Sequence, residues 1–148
     1  MKPVRTLVVL IDDEKMKLLE NHGVGKGLQP LEEAEFSRKE AEALEYSDQP
    51  GRSFESVGAM RHAMSPEKSV EEQQRDRWLR EAMAHLSKRW QKGNFDRLVI
   101  AAPPKVLGLV RELLDRPLKE ALYAEVAKDL VNVPERELPE RFADVAAF

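Results

Sequence analysis

Two short stretches concentrate the residues best suited to chemistry. Gly51-Arg52-Ser53-Phe54 and Gly58-Ala59-Met60-Arg61-His62 set guanidinium groups beside glycines, a hydroxyl and an imidazole. A guanidinium holds a carboxylate or phosphate through two parallel hydrogen bonds, and glycine lets the backbone come close to the bound group. The chemistry implied is anion recognition, and loops are where such residues usually act. A second set is acidic. Asp12 and Asp13 follow one apolar run that reads as a strand, and Asp129 follows another segment of that kind. If those strand ends lie side by side, the three carboxylates could chelate Mg²⁺ for phosphodiester hydrolysis. Acids also close turns for purely structural reasons, and that is the plainer reading of all three.

Other chemistries are poorly served. His22, His62 and His85 are scattered, with no metal-binding spacing. Gly23-Val24-Gly25-Lys26-Gly27 lacks the strand-to-helix setting and the Gly-Lys-Ser/Thr ending of a phosphate loop, and suits a hairpin turn. No Gly-x-Ser-x-Gly occurs, and the absence of cysteine excludes disulfides, thiolate-bound zinc and thiol catalysis. The sequence therefore implies neither a metal nor a cofactor.

The chain has 148 residues, 42% apolar and 34% charged, with a net charge of −3, which describes one soluble, core-forming domain. No apolar run is long enough to span a membrane, and no secretory signal pattern is visible near Met1, so a cytoplasmic location is expected. The charge is uneven. Residues 52–92 hold 9 basic against 6 acidic groups, whereas residues 1–51 and 93–148 are each net acidic. Overall acidity argues against a general nucleic-acid binder, while the basic middle leaves room for an anion-facing patch.

The elements that must position these groups follow from periodicity. Val4 to Ile11 reads as a buried strand, Lys15 to Leu19 as a second and Leu28 to Phe36 as a third. Connections this tight imply an antiparallel meander. Periodicity fails from Ser37 to Ser69, apart from a short helical turn over Arg38–Glu45, and a long mobile loop at about 37–69 is expected. Ser69-Val70-Glu71-Glu72 is a capping-box pattern. The helix it opens has Leu79, Ala82, Met83, Leu86 and Trp90 on one stripe, with Arg75, Arg77, Arg80 and Lys88 off it, and ends at Gly93-Asn94. Both Trp78 and Trp90 are expected to pack.

Leu98 to Ala102 suits a strand buried on both faces, and Pro104 opens a helix through Val106, Leu107, Val110, Leu113 and Leu114 that Arg116-Pro117 stops. Leu122 to Ala127 alternates and reads as a strand, with a helix as the alternative because Ala, Leu and Glu favour one, and Asn132-Val133-Pro134-Glu135 reads as the cap of a last helix through Leu138, Phe142 and Val145. The predicted order is β-β-β, loop, α-β-α-β-α. That makes a single three-layer α/β domain over residues 1–148 with a mixed five-stranded sheet, its second strand antiparallel.

Several segments together resemble a known family. They are Asp48-Gln49-Pro50-Gly51-Arg52-Ser53-Phe54-Glu55-Ser56, Arg61-His62-Ala63-Met64, Phe95-Asp96-Arg97-Leu98-Val99, Ala102-Pro103-Pro104-Lys105-Val106-Leu107-Gly108 and Lys128-Asp129-Leu130. In this order they resemble the bacterial host-attachment proteins, described as required for attachment to host cells. The first strand departs from that pattern, because Ile11-Asp12-Asp13-Glu14 keeps only the Asp of the family's Ala-Asp-Gly-Ala turn. The family is similar in turn to the middle domain of archaeal and eukaryotic peptide-chain release factors, which implies a ribonuclease-H-like sheet. Release factors act through a Gly-Gly-Gln tip, and none occurs in this chain.

The resemblance implies a non-enzymatic intracellular factor that binds RNA, the ribosome or an acidic protein. The binding set is then Arg52, Ser53, Arg61, His62, Lys105 and Lys128. The alternative is a translation-associated hydrolase or metal-dependent nuclease using Asp12, Asp13 and Asp129.

Overall fold

The computed structural model describes residues 3–42 and 68–148. Strands β1 (Thr6–Ile11), β2 (Lys15–Asn21) and β3 (Gln29–Ser37) come first, followed by helix α1 (Val70–Lys92) and strand β4 (Arg97–Ala101). Helices α2 (Pro104–Leu113) and α3 (Arg116–Ala121) then lead to β5 (Leu122–Val126), and a 3₁₀ turn (Glu135–Glu137) with α4 (Leu138–Arg141) closes the chain. The described strands form one mixed five-stranded sheet in the order β3-β2-β1-β4-β5. β2 runs antiparallel to both β1 and β3, whereas β4 runs parallel to β1 and β5, so the meander and the later crossovers take the expected form.

β1 lies at the centre because its sequence leaves no polar face. All six of its residues are buried. Leu7, Val9 and Ile11 pack under α1, α2 and α3 with Leu79, Leu86, Leu107 and Leu118. Val8 and Leu10 point to the opposite layer, which Leu130, Val131, Leu138 and Phe142 fill. Each such side chain contributes on the order of 1.5–3 kcal/mol on burial. β3 is an edge strand, which tolerates Pro30 where a central strand would lose a ladder bond. The β2–β3 register shifts between Lys17 and Leu19, a bulge that the alternation of residues did not foretell.

α1 begins where the capping pattern puts it, with the Ser69 hydroxyl accepting from the Glu72 amide at 3.1 Å. Its buried stripe is Trp78, Leu79, Ala82, Met83 and Leu86, while Trp90 is half-buried and stacks on Phe95. Gly93 ends the helix with extended backbone at φ −103°. Its lack of a side chain matters here because a Cβ would collide with the Phe95 ring.

Three expectations need correction. Val4 is exposed, and the first strand starts only at Thr6. Arg116-Pro117 does not merely stop a helix. α2 ends at Leu113, and the Asp115 carboxylate then accepts from the Leu118 amide at 3.1 Å and caps α3, with Pro117 in the first turn, where its missing N–H costs nothing. The last helix is broken into a 3₁₀ turn and a single α turn, because Pro134 offers no capping side chain and Pro139 falls just inside α4. Leu138 and Phe142 still reach the core as expected, but Val145 is 38% exposed.

Phe142 thus anchors the final segment to the sheet. Urea denaturation should show Phe142→Ala destabilised by about 3–5 kcal/mol, against less than about 0.5 kcal/mol for Val145→Ala at the exposed position. Equal costs for the two variants would mean that the C-terminal layer is not packed as described.

Candidate functional site at the carboxyl end of the sheet

β1, β4 and β5 point the same way, so Ile11, Ala101 and Val126 finish at one end of the sheet. In open α/β sheets, ligands bind outside these carboxyl ends. The first turns of α1 and α2 open there too, which brings amide-rich helix starts to the same edge. The loops that leave the strands carry Asp12-Asp13, Pro103-Pro104-Lys105 and Lys128-Asp129. A bond from the Ala102 amide to the Val126 carbonyl at 3.1 Å fastens the ends of β4 and β5 together. Lys105 and Lys128 are therefore exposed on neighbouring strand ends.

The acids are not gathered. Asp12 Oδ1 accepts from the amides of Glu14 and Lys15, both at 2.8 Å, and its own amide donates to the Lys15 carbonyl at 3.0 Å. These bonds close the β1–β2 turn, and Trp78 Nε1 donates to the Asp12 carbonyl at 3.0 Å, which ties that turn to α1. Asp13 and Asp129 are exposed, and β4 separates the strands they follow. Two strand spacings amount to about 10 Å. Among the described residues, no three His, Asp or Glu side chains are grouped to hold a metal ion.

Arg52, Ser53, Arg61 and His62 lie outside the described residues, as does most of the stretch expected to be a mobile loop. Its margins are described. Ser37 belongs to β3, residues 38–42 are helical, and the Ser37 hydroxyl accepts from the Glu40 amide at 3.1 Å. Arg38 is the clamp. Its amide donates to the Glu14 carbonyl at 2.8 Å, and its guanidinium donates to Gln74 Oε1 at 3.0 Å and pairs with Glu42 at 3.4 Å. The chain on either side of residues 43–67 is thereby held beside the β1–β2 turn. Arg38 could not be singled out from sequence, because Glu14 and Gln74 become its neighbours only in the fold.

A second network, also missed, sits at the opposite end of the sheet. Arg5 Nη2 donates to Glu20 Oε2 at 2.8 Å, its guanidinium lies 5.1 Å from the Phe95 ring centre, and its amide donates to Asp96 Oδ2 at 2.8 Å. His22 Nε2 approaches the same carboxylate at 3.2 Å. Burial alone would raise the Glu20 carboxyl, but hydrogen bonds from Arg5 and His22 outweigh it and hold the group below its ordinary value. The only signal in the sequence is Arg5 itself, a charge at the start of an apolar run.

Other candidates are accounted for by the fold. The glycine-rich segment is the β2–β3 turn, as expected, with Gly25 at φ 82° and Gly27 at φ 72°. It is organised by buried Asn21, whose Nδ2 donates to the carbonyls of Gly23 at 2.9 Å and Gly27 at 2.8 Å. His85 stacks on Phe36 at 4.4 Å.

Taken together, these features define a three-layer α/β protein whose candidate site lies at the carboxyl edge of a mixed sheet. The chain belongs to the bacterial archaeo-eukaryotic release factor family 12, whose pattern matches residues 5–142. It is also 30% identical over 136 residues to the uncharacterized protein RP470 of Rickettsia prowazekii (strain Madrid E), covering 85% of this chain and 84% of that relative. The family is described by its release-factor kinship rather than by host attachment. Among the described residues, no helix is long and apolar enough to cross a membrane.

Two outcomes follow from this geometry. Asp12→Ala should lower stability by about 1–3 kcal/mol through the lost acceptor, whereas Asp129→Ala should stay within about 0.5 kcal/mol, as read by urea denaturation. The depressed Glu20 carboxyl contributes stability that is fully present above its ordinary value near ~4.3 and is lost as pH falls through its lower folded value. The stability gap between wild type and Glu20→Gln should therefore be widest at neutral pH and shrink on acidification. A gap that is constant from pH 7 to pH 3 would contradict the network.

Proposed function

We propose that the protein is a non-catalytic, cytoplasmic factor that binds RNA, foremost within the ribosome, through the Arg52 and Arg61 segment and the carboxyl end of the sheet. The observation that carries this reading is release-factor kinship along 5–142 in a chain that has no Gly-Gly-Gln. The scaffold of a translation factor is kept and the peptide-releasing tip is not, which leaves binding as the retained property. The meander followed by parallel crossovers accords with a ribonuclease-H-like classification of the sheet. Arg52 and Arg61 supply bidentate phosphate recognition, and Lys105 and Lys128 add positive charge at the strand ends. Any effect on attachment to host cells is then indirect, through translation or RNA.

The hydrolytic alternative has less behind it. Asp12 is engaged by the turn amides, and β4 stands between the strands that carry Asp12 and Asp129.

Co-sedimentation with ribosomes tests the proposal. Wild type should pellet with ribosomes at low salt and release as salt rises, and Arg52→Ala/Arg61→Ala should reduce the bound fraction by about tenfold. A pull-down from the native cell should lose its partners on ribonuclease treatment. Association untouched by both the substitutions and the nuclease would overturn the reading.

A further inference from the structure

One face of α1 concentrates basic charge. From Arg77 to Lys92 the helix holds five basic residues, Arg77, Arg80, Lys88, Arg89 and Lys92, against one acid, Glu81. At about 100° per residue, Arg77, Arg80, Lys88 and Lys92 fall within a single arc of about 120°. The arc lies opposite the buried Leu79, Ala82, Met83 and Leu86, and all four of its cations are exposed. A rise of ~1.5 Å per residue spreads it over about 22 Å.

Several arginines elsewhere are matched to carboxylates, as in Arg5–Glu20, Arg38–Glu42, Arg111–Glu125 and Arg116–Glu120. Among the described residues, Arg80, Lys88, Arg89 and Lys92 meet no carboxylate. The layer across the sheet has the opposite sign, with five acids and two arginines between Asp129 and Asp144. The molecule therefore presents a basic side and an acidic side despite its net charge of −3.

We infer that this arc is a docking surface for the phosphate backbone of RNA, a proposal that rests on the RNA reading above and gives it a second, separate contact. The composition of the arc selects the partner class. A protein interface would call for large apolar or aromatic anchors, and only Glu81, Ala84 and Gln91 lie among the cations. A polyphosphate requires evenly spread cations and nothing more, and it gains affinity by releasing counterions. The arc begins one turn beyond Gln74, the residue that receives Arg38, so it continues from the edge where the flanks of residues 43–67 are held.

The test uses the full chain and a fluorescent single-stranded oligouridine, with binding followed by anisotropy across a salt series. Arg80→Ala/Lys88→Ala/Lys92→Ala should weaken binding at least tenfold at low salt and reduce the slope of log K against log[salt] by about 2. These positions are exposed, so the thermal midpoint should hold. Glu81→Gln should do the reverse and tighten binding about two- to fivefold, a gain that damage to the fold cannot mimic. Wild-type binding that matches both variants would overturn the arc and leave the proposed function standing, as read by the Arg52→Ala/Arg61→Ala variant. Failure of wild type to bind RNA would overturn both. Equal competition by a polyglutamate of the same charge would overturn the assignment to RNA.

Discussion

β1 has no face in water, and the rest of the molecule is arranged by that fact. A strand buried on both sides needs a covering layer above and another below, and neither layer can be removed without exposing Val8 and Leu10 or Leu7, Val9 and Ile11. It also needs a hydrogen-bonding neighbour along each edge. The tight meander supplies β2 on one side, and the crossover through α1 supplies β4 on the other. Parallel pairing with β4 in turn fixes which end of the sheet gathers the loops after β1, β4 and β5. The location of the candidate site is therefore a result of how the core closes.

α1 serves three purposes with three sets of residues. Its apolar stripe covers one face of the sheet, Trp78 bonds to the turn that follows β1, and Gln74 receives Arg38 from the end of β3. The helix start is thereby fastened to the carboxyl edge by polar contacts, while its length is held by packing. Its outer side carries charge, and Arg80, Lys88 and Lys92 there meet no carboxylate among the described residues. Separating these duties around the circumference lets one helix be both a structural wall and a charged surface.

Much of this was legible in the sequence, for identifiable reasons. Unbroken apolar runs gave β1 and β4, tight glycine and aspartate turns gave the meander, and Ser69 with Glu72 gave the start of α1. All of these are signals carried within a few residues. The prolines were harder. Arg116-Pro117 reads as a stop and Asn132-Val133-Pro134-Glu135 as a start, yet Asp115 turns the first into the start of α3, while no side chain caps the helix at the second. The site was legible only in part. Lys105 and Lys128 follow the adjacent strands β4 and β5, and Asp12 and Asp129 follow strands separated by β4, neither of which spacing along the chain can show. Arg38 and the Arg5–Glu20–His22 network depend on partners far away in sequence, so no local pattern announced them.

Pro30 has an effect beyond its own strand. A sheet margin is a template on which another chain can crystallise its own backbone, and proteins left with two such margins tend to stitch together into ribbons. Here the outer strand of the meander lacks one donor at Pro30, and the bulge beside it throws the pairing out of step. The missing donor and the shifted pairing make that flank a poorer template for a further strand.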